Sequence, residues 1–281
     1  IDLAMMDRLL RAAPPTTRIV LFGDANQLPA VDAGQVVADL ARLAGGGAPW
    51  AALLSRNFRS ADGEAGRSVL EVADALLRGN LDDPERGARI SPRVGSADLR
   101  WRGVELVEGD PLSGSARQVI AGWWQRQTRG EFPTLADDEY RWSDGQWAPG
   151  DEARLERLVA IHGRSQMLAV TRAQATGTLA LNQQHHGRML ERATTSHEPD
   201  FLPGEPVIIT ANDYERGLYN GDTGVIARVA DVQQGQRFRA VFRKHGRLVP
   251  FSLDALRASL ELAWAITVHK SQGSEWDDMM L

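Results

Sequence analysis

Leu262-Ala263-Trp264-Ala265-Ile266-Thr267-Val268, followed at once by His269-Lys270-Ser271-Gln272-Gly273-Ser274-Glu275, is the stretch from which the fold is read. The first part is a nearly unbroken apolar run, the texture of a strand buried on both faces in a parallel sheet. Ligands of such sheets sit beyond the carboxyl ends of the strands. The nine residues Thr267 to Glu275 gather hydroxyls, an imidazole, a lysine, an amide and a carboxylate there, and Gly273 allows close backbone approach. Such a segment suits nucleic-acid phosphates, a nucleotide ribose or both. A plain polar loop is the alternative, and it accounts poorly for this density.

Working outward, Ile19-Val20-Leu21-Phe22 reads as a second buried central strand, delivering Asp24 and Gln27 at its carboxyl end. Asp24 either holds Mg²⁺ or orients a water for a nucleotide hydrolase, or merely caps a turn. Helical spacing marks residues 2–13, 36–43, 67–78, 115–128, 151–162 and 177–192. Further strands are expected at 104–107 and 167–170. Between 203 and 255 the texture changes to short strands at 206–210, 224–229, 237–243 and 248–252, with a tight-turn signal at Asn220-Gly221. These spacings predict a small antiparallel barrel inserted in an α/β domain.

The 281 residues hold 32 Lys+Arg against 37 Asp+Glu, a net charge of −5, and no cysteine. The absence of Cys excludes a disulfide scaffold, a thiolate zinc site and a cysteine nucleophile. Mild acidity argues against coating nucleic acid through bulk charge, though not against a local basic groove. No apolar run is long enough for a bilayer and no signal-peptide pattern starts the chain, so a cytoplasmic protein without a membrane partner is expected. Thirty of the basic residues are arginine; the two lysines are Lys244 and Lys270. Ile1 and the apolar ending at Leu281 suggest an excerpt of a longer chain.

Charge is unevenly spread. Residues 131–156 carry eight acidic and two basic side chains and read as an exposed acidic loop leading into a helix. Residues 237–247 carry five basic and no acidic ones. Alternation puts Phe238, Ala240 and Phe242 on one face and Arg237, Arg239 and Arg243 on the other. That basic face either follows a phosphate backbone or is simply solvated. Ser55 to Ser60 offers Arg56 and Arg59, suited to phosphate or to surface ion pairs. His185-His186 point apart on a helix and lack further ligands, so they read as structural, and no metal site is expected. Five of the eight tryptophans lie within 101–147, where packing is the expected role.

Taken together, these motifs resemble the RecD-like branch of superfamily 1 DNA helicases, in the form found as a subunit of exodeoxyribonuclease V complexes. Gly23 to Gly34 resembles motif III, Asn57-Phe58-Arg59-Ser60 motif IV, and Thr267 to Glu275 motif V. Gly204-Glu205-Pro206-Val207 through Gly224 resembles the segment that in these helicases lies in a Src-homology-3-like β-barrel. Residues 85–160 match least well.

The resemblance implies an α/β protein of RecA-like P-loop NTPase motor domains, parallel sheets with flanking helices, interrupted by that small barrel. Residues 1–60 would belong to the first motor domain, 61–202 and 256–281 to the second, and 203–255 to the barrel. It implies that Gln27 senses the γ-phosphate, that Arg59 contacts it, and that Gly273 and Glu275 lie near phosphate and ribose. Thr267, His269 and Ser271 would face DNA. ATP and Mg²⁺ would be cofactors, with the Mg²⁺ ligands outside these residues. The partners implied are single- and double-stranded DNA and RecB-like and RecC-like subunits, in 5′→3′ unwinding for double-strand break repair and recombination.

No G-x-x-x-x-G-K-[ST] phosphate loop occurs here. Motif II would precede Ile1 and motif VI would follow Leu281. The 281 residues alone are therefore expected neither to hydrolyse ATP nor to unwind DNA. A stand-alone RecD-like helicase or the helicase part of a conjugative relaxase would share these motifs. A non-catalytic single-stranded-DNA-binding module is the rival from another class.

Overall fold

A computed structural model describes residues 1–28, 33–45, 47–54, 64–79, 90–93, 97–107, 109–110, 112–193, 199–231 and 235–281. They divide into two compact units: residues 1–90 with 102–104, and residues 91–101 with 105–281.

In the first unit, helices α1 (Leu3–Ala12), α2 (Val36–Ala44) and α3 (Glu64–Leu77) lie at the expected places. Asp2 caps α1, its carboxylate accepting from Met5 N at 2.7 Å, and Pro14-Pro15 prevents the helix from continuing. The core is thin: Met6, Ala44 and Ala75 are its buried apolar side chains among the described residues. The expected central strand Ile19–Phe22 is not a strand here, and Phe22 is 90% exposed. No described strand of this unit runs beside it, so its backbone has no ladder to join and its side chains no sheet face to bury.

The second unit is built on two sheets. In the parallel one, β5 (Ser165–Ala169) is central, with β11 (Ala265–Thr267) and β12 (Asp278–Met280) on either side. Helices α4 (Gly114–Gln127) and α7 (Thr178–Arg192) supply Trp123 and Leu181 to its core with Met167, Ala169 and Ala265. The pair β1 (Ile90–Arg93) and β2 (Val104–Val107) forms a separate two-stranded sheet.

The other sheet is mainly antiparallel and has seven strands among the described residues. Strands β6 (Pro206–Ile209), β7 (Thr223–Asp231), β8 (Gly235–Lys244) and β9 (Arg247–Ser252) match the expected short strands. Asn220-Gly221 forms the centre of a β-turn, with Asp222 N donating to Tyr219 O at 2.9 Å and Gly221 at φ +99°. The remaining strands come from outside 203–255. β10 (Leu260–Leu262) pairs with β6, and β3 (Glu139–Ser143), hairpinned to β4 (Gln146–Trp147), runs parallel to the end of β7.

Two further expectations do not hold. The run 262–268 is not one strand: Leu262 ends β10 in the antiparallel sheet and Ala265 begins β11 in the parallel one. Side-chain amides satisfy the backbone at the switch. Asn182 Nδ2 donates to the carbonyls of Leu262 (2.8 Å) and Ala265 (3.0 Å), and its Oδ1 accepts from Ala265 N (2.7 Å). Gln166 donates to the carbonyls of Ala263 and Trp264. These bonds let the chain change sheets without orphaned buried groups.

The second correction is that residues 131–156 are not an exposed acidic loop. They fold as α5 (Phe132–Asp137), the β3–β4 hairpin and the start of α6 (Asp151–Gly163). Phe132, Leu135, Tyr140, Trp147 and Leu155 lie in the largest core, with Val225, Val241, Leu248 and Trp264. Arginines neutralise the acids: Arg154 bridges Asp138 and Asp151, Arg157 meets Glu131, and Arg243 meets Glu156. Burial pushes the Asp151 carboxyl up, but the Arg141 backbone N–H and the Arg154 guanidinium outweigh it and hold it below the usual carboxylate range.

Candidate nucleotide and DNA interface

The segment singled out by sequence leaves the carboxyl end of β11. Val268 N donates to Ala169 O at 3.1 Å, prolonging the parallel ladder by one residue before the chain turns. Lys270 N donates to Thr267 O (2.9 Å), and Ser271 Oγ donates to Val268 O (2.7 Å). Thr267 and Ser271 are half-buried and help shape this turn, while His269, Gly273 and Glu275 are exposed. Gly273 stands at φ +82° with open space where a side chain would project. The five candidate residues therefore share one turn on the sheet edge where parallel α/β folds bind ligands.

In the other unit, the Asp24 carboxylate accepts from Asn26 N at 2.9 Å and from the Gln27 side-chain amide at 3.3 Å. Both residues are exposed. Asp24 thus closes a local turn that holds the Gln27 amide. Arg59 lies outside the described residues, as do the rest of Asn57–Ser60 and residues 29–32 of the motif III stretch. Among the described residues no cluster of three His, Asp or Glu side chains could hold a metal ion. Asp24, with both oxygens engaged in its own turn, is not a preformed Mg²⁺ site.

The basic strand β8 departs from simple alternation. Arg237 is exposed and lines a cleft of about 430 Å³ with Phe238, Arg239, Ser252, Leu253 and Asp254. Arg239 is buried. Val241 on the same face is fully buried, as is Phe242 on the other. Arg243 makes a two-pronged pair with Glu156 of α6, one arm at 2.8 Å, and hydrogen bonding to that carboxylate raises the arginine's pKa further. The strand is packed on both faces, Val241 in the core of Tyr140 and Leu155 and Phe242 in that of Val207, Leu218 and Leu256, which a two-residue period cannot reveal.

A buried polar knot went unread in the sequence. Glu205, wholly buried, accepts from Leu202 N (2.7 Å), His186 Nδ1 (2.9 Å) and Trp264 Nε1 (3.3 Å). Hydrogen bonding to Glu205 raises the His186 pKa. His162 bonds the Gly204 carbonyl at 2.8 Å, and burial pushes its pKa down to about 4. His185 is held down to about 3, by burial and then by Arg188. The two adjacent histidines do point to different partners, His186 to Glu205 and His185 beside Trp264. A lone glutamate between Gly and Pro gives no periodic sign that it is buried.

Residues 1–90 match the sequence profile of the AAA domain family. The RecBCD enzyme subunit RecD of Mycolicibacterium smegmatis is 31% identical over 284 residues, covering 99% of this chain and 42% of its own length. The ATP-dependent RecD2 DNA helicase of Deinococcus radiodurans is 28% identical over 281 residues, 99% of this chain and 30% of its own. A Bacteroides Pif1 helicase structure aligns with 64% of this chain and 46% of its own at 16% identity, with a TM-score of 0.23, too loose a match to bear on the fold. The chain spans less than half the length of the relatives it matches.

Proposed function

We propose that this chain, similar to the RecBCD subunit RecD of Mycolicibacterium smegmatis and the RecD2 helicase of Deinococcus radiodurans, is a RecD-like superfamily 1 helicase segment and forms part of an ATP-driven motor moving 5′→3′ along single-stranded DNA. The observation that carries this is the turn Thr267 to Glu275 at the carboxyl edge of the parallel β11–β5–β12 sheet. In this reading Gln27 reports the γ-phosphate, Arg59 neutralises charge on it, and Gly273 and Glu275 line the nucleotide. Thr267, His269 and Ser271 face the DNA. Bound ATP with Mg²⁺ supplies the phosphoryl chemistry; the Mg²⁺ ligands belong to other residues of the longer protein. Residues 203–255 form a Src-homology-3-like barrel whose exposed Arg237, and Arg243 once it leaves Glu156, follow the DNA backbone, with the buried Arg239 beneath them. The intact protein works in the cytoplasm with RecB-like and RecC-like subunits in double-strand break repair, and the 281 residues alone are inactive as an ATPase.

Arg59→Ala and Gln27→Ala in the longer protein test the motor reading. Both should abolish DNA-stimulated ATP turnover; turnover left intact while DNA binding changes means that the motor reading of these residues fails. A second reading, a stand-alone helicase, draws on the similarity to the Deinococcus RecD2 helicase. Co-purification with large partner subunits favours the first, and a stable active monomer the second.

A further inference from the structure

Residues 211–222, between β6 and β7, hold two aromatic rings in solvent. Tyr214 is 77% exposed and Tyr219 51%. The frame beneath them is tightly tied. Asp213 and Leu218 exchange both backbone hydrogen bonds, at 2.7 and 3.0 Å. Leu218 is buried in the core of β6, β7 and β8 and pins the loop to the sheet. The Asp213 carboxylate accepts from Arg216 N and its guanidinium, and Asp222 accepts from Tyr219 N at 2.8 Å. Asn212 accepts from Asn220 N and donates to the Tyr214 hydroxyl at 3.0 Å. Lys244, one of the two lysines, donates to the Arg216 carbonyl from the end of β8.

Single exposed apolar residues are ordinary. Two rings fixed side by side on a braced loop are a surface with little freedom left to lose on binding. Their centroids lie 6.2 Å apart at 78°, so they cannot sandwich one flat group; each offers a face to a different one. Successive bases of an unpaired strand are such groups, and every base has a π-face. We propose that Tyr214 and Tyr219 form a base-stacking platform for single-stranded nucleic acid, separate from Arg237, Arg239 and Arg243 of β8. This rests on the single-stranded-DNA reading above. Residues 211–222 carry Asp213, Glu215 and Asp222 against Arg216 alone, so the loop offers a phosphate backbone no net positive charge. The platform therefore adds affinity through stacking, with little salt dependence.

The test is fluorescence anisotropy of the 281-residue chain with a labelled oligothymidylate and with an abasic strand of the same length, at low and high salt. Each Tyr→Ala change should weaken oligothymidylate binding on the order of tenfold, by the same factor at both salts. Tyr→Phe should retain binding, and the abasic strand should bind wild type and Ala variants alike. Thermal melts check that the variants fold. Unchanged oligothymidylate affinity in Y214A and Y219A overturns the platform while leaving the DNA reading intact. A loss that persists on the abasic strand also overturns it, since bases would not be the contact. If the wild type binds neither strand, the DNA reading itself fails and the platform with it.

Discussion

His186 Nδ1 lies 2.9 Å from Oε1 of a Glu205 that no solvent reaches, joining helix α7 to the residue just before β6. The same carboxylate takes the Trp264 indole N–H at the point where the chain passes from one sheet to the other. Three donors from separate segments thus depend on one acceptor. Glu205→Ala should destabilise the chain by about 3–5 kcal/mol, because it strands buried donors, one of them charged when His186 is protonated. Glu205→Gln, which keeps one carbonyl acceptor, should lose less. Urea unfolding of the two variants measures the difference, and equal losses would mean that the hydrogen bonds are not the source.

Acid should weaken the second unit before its carboxylates titrate. His162 and His185 have folded pKa values of about 4 and 3, below the ordinary 6.5, so the unfolded chain takes up protons first as pH falls. Their contribution is complete above pH 6.5 and is lost below it, at up to about 1.4 kcal/mol per pH unit for each histidine. His186 has the opposite sign: its raised pKa adds stability below pH 6.5 that fades as pH rises through its folded value. Unfolding free energy should therefore fall from pH 6.5 towards 4, and His162→Gln should flatten that slope by roughly half. A slope unchanged in the variant would remove His162 from the account.

The basic strand and the acidic stretch are linked through Arg243 and Glu156. Both are more than a third exposed, so Arg243→Ala should cost the fold no more than about 1 kcal/mol. If Arg243 meets phosphate, it must leave Glu156 to do so. Glu156→Gln should then strengthen single-stranded DNA binding and steepen its salt dependence by about 0.7 in log–log slope. Replacing Arg237, Arg239 and Arg243 together should weaken binding and flatten the slope. Salt titrations that give the Glu156 variant a wild-type slope would leave Arg243 a structural residue.

Gly204 stands at φ +88°, and a β-carbon there would lie 2.5 Å from the Ala136 side chain and 3.0 Å from the Phe132 ring. Gly204→Ala combines a left-handed backbone with overpacking against α5 and should cost roughly 2–4 kcal/mol, read by thermal or urea unfolding. A near-neutral result would show that α5 can move aside.

Helices and short strands were legible because their periods are local: α7 and β6 to β9 fall where spacing put them. The turn after β11 was legible through its residue types. What escaped depends on partners distant in sequence. Asn182 and Gln166, amides on α7 and β5, split the apolar run 262–268 between two sheets, and no pattern within that run announces them. The acids of 131–156 looked solvated because their arginine partners, such as Arg243, lie up to 87 residues away. Ile19–Phe22 shows the reverse: apolar composition marks a strand, but strand pairing needs neighbours that this unit does not provide among its described residues.

In the proposed ATP-driven motor, the nucleotide contacts include Gln27 and Arg59. DNA-stimulated ATP hydrolysis by the longer protein, wild type against Gln27→Ala and Arg59→Ala, tests it most directly. A motor of this kind should show robust stimulation in the wild type and lose at least about 2.7 kcal/mol of transition-state stabilisation, on the order of a hundredfold, in each variant. Wild-type turnover in both variants would contradict it.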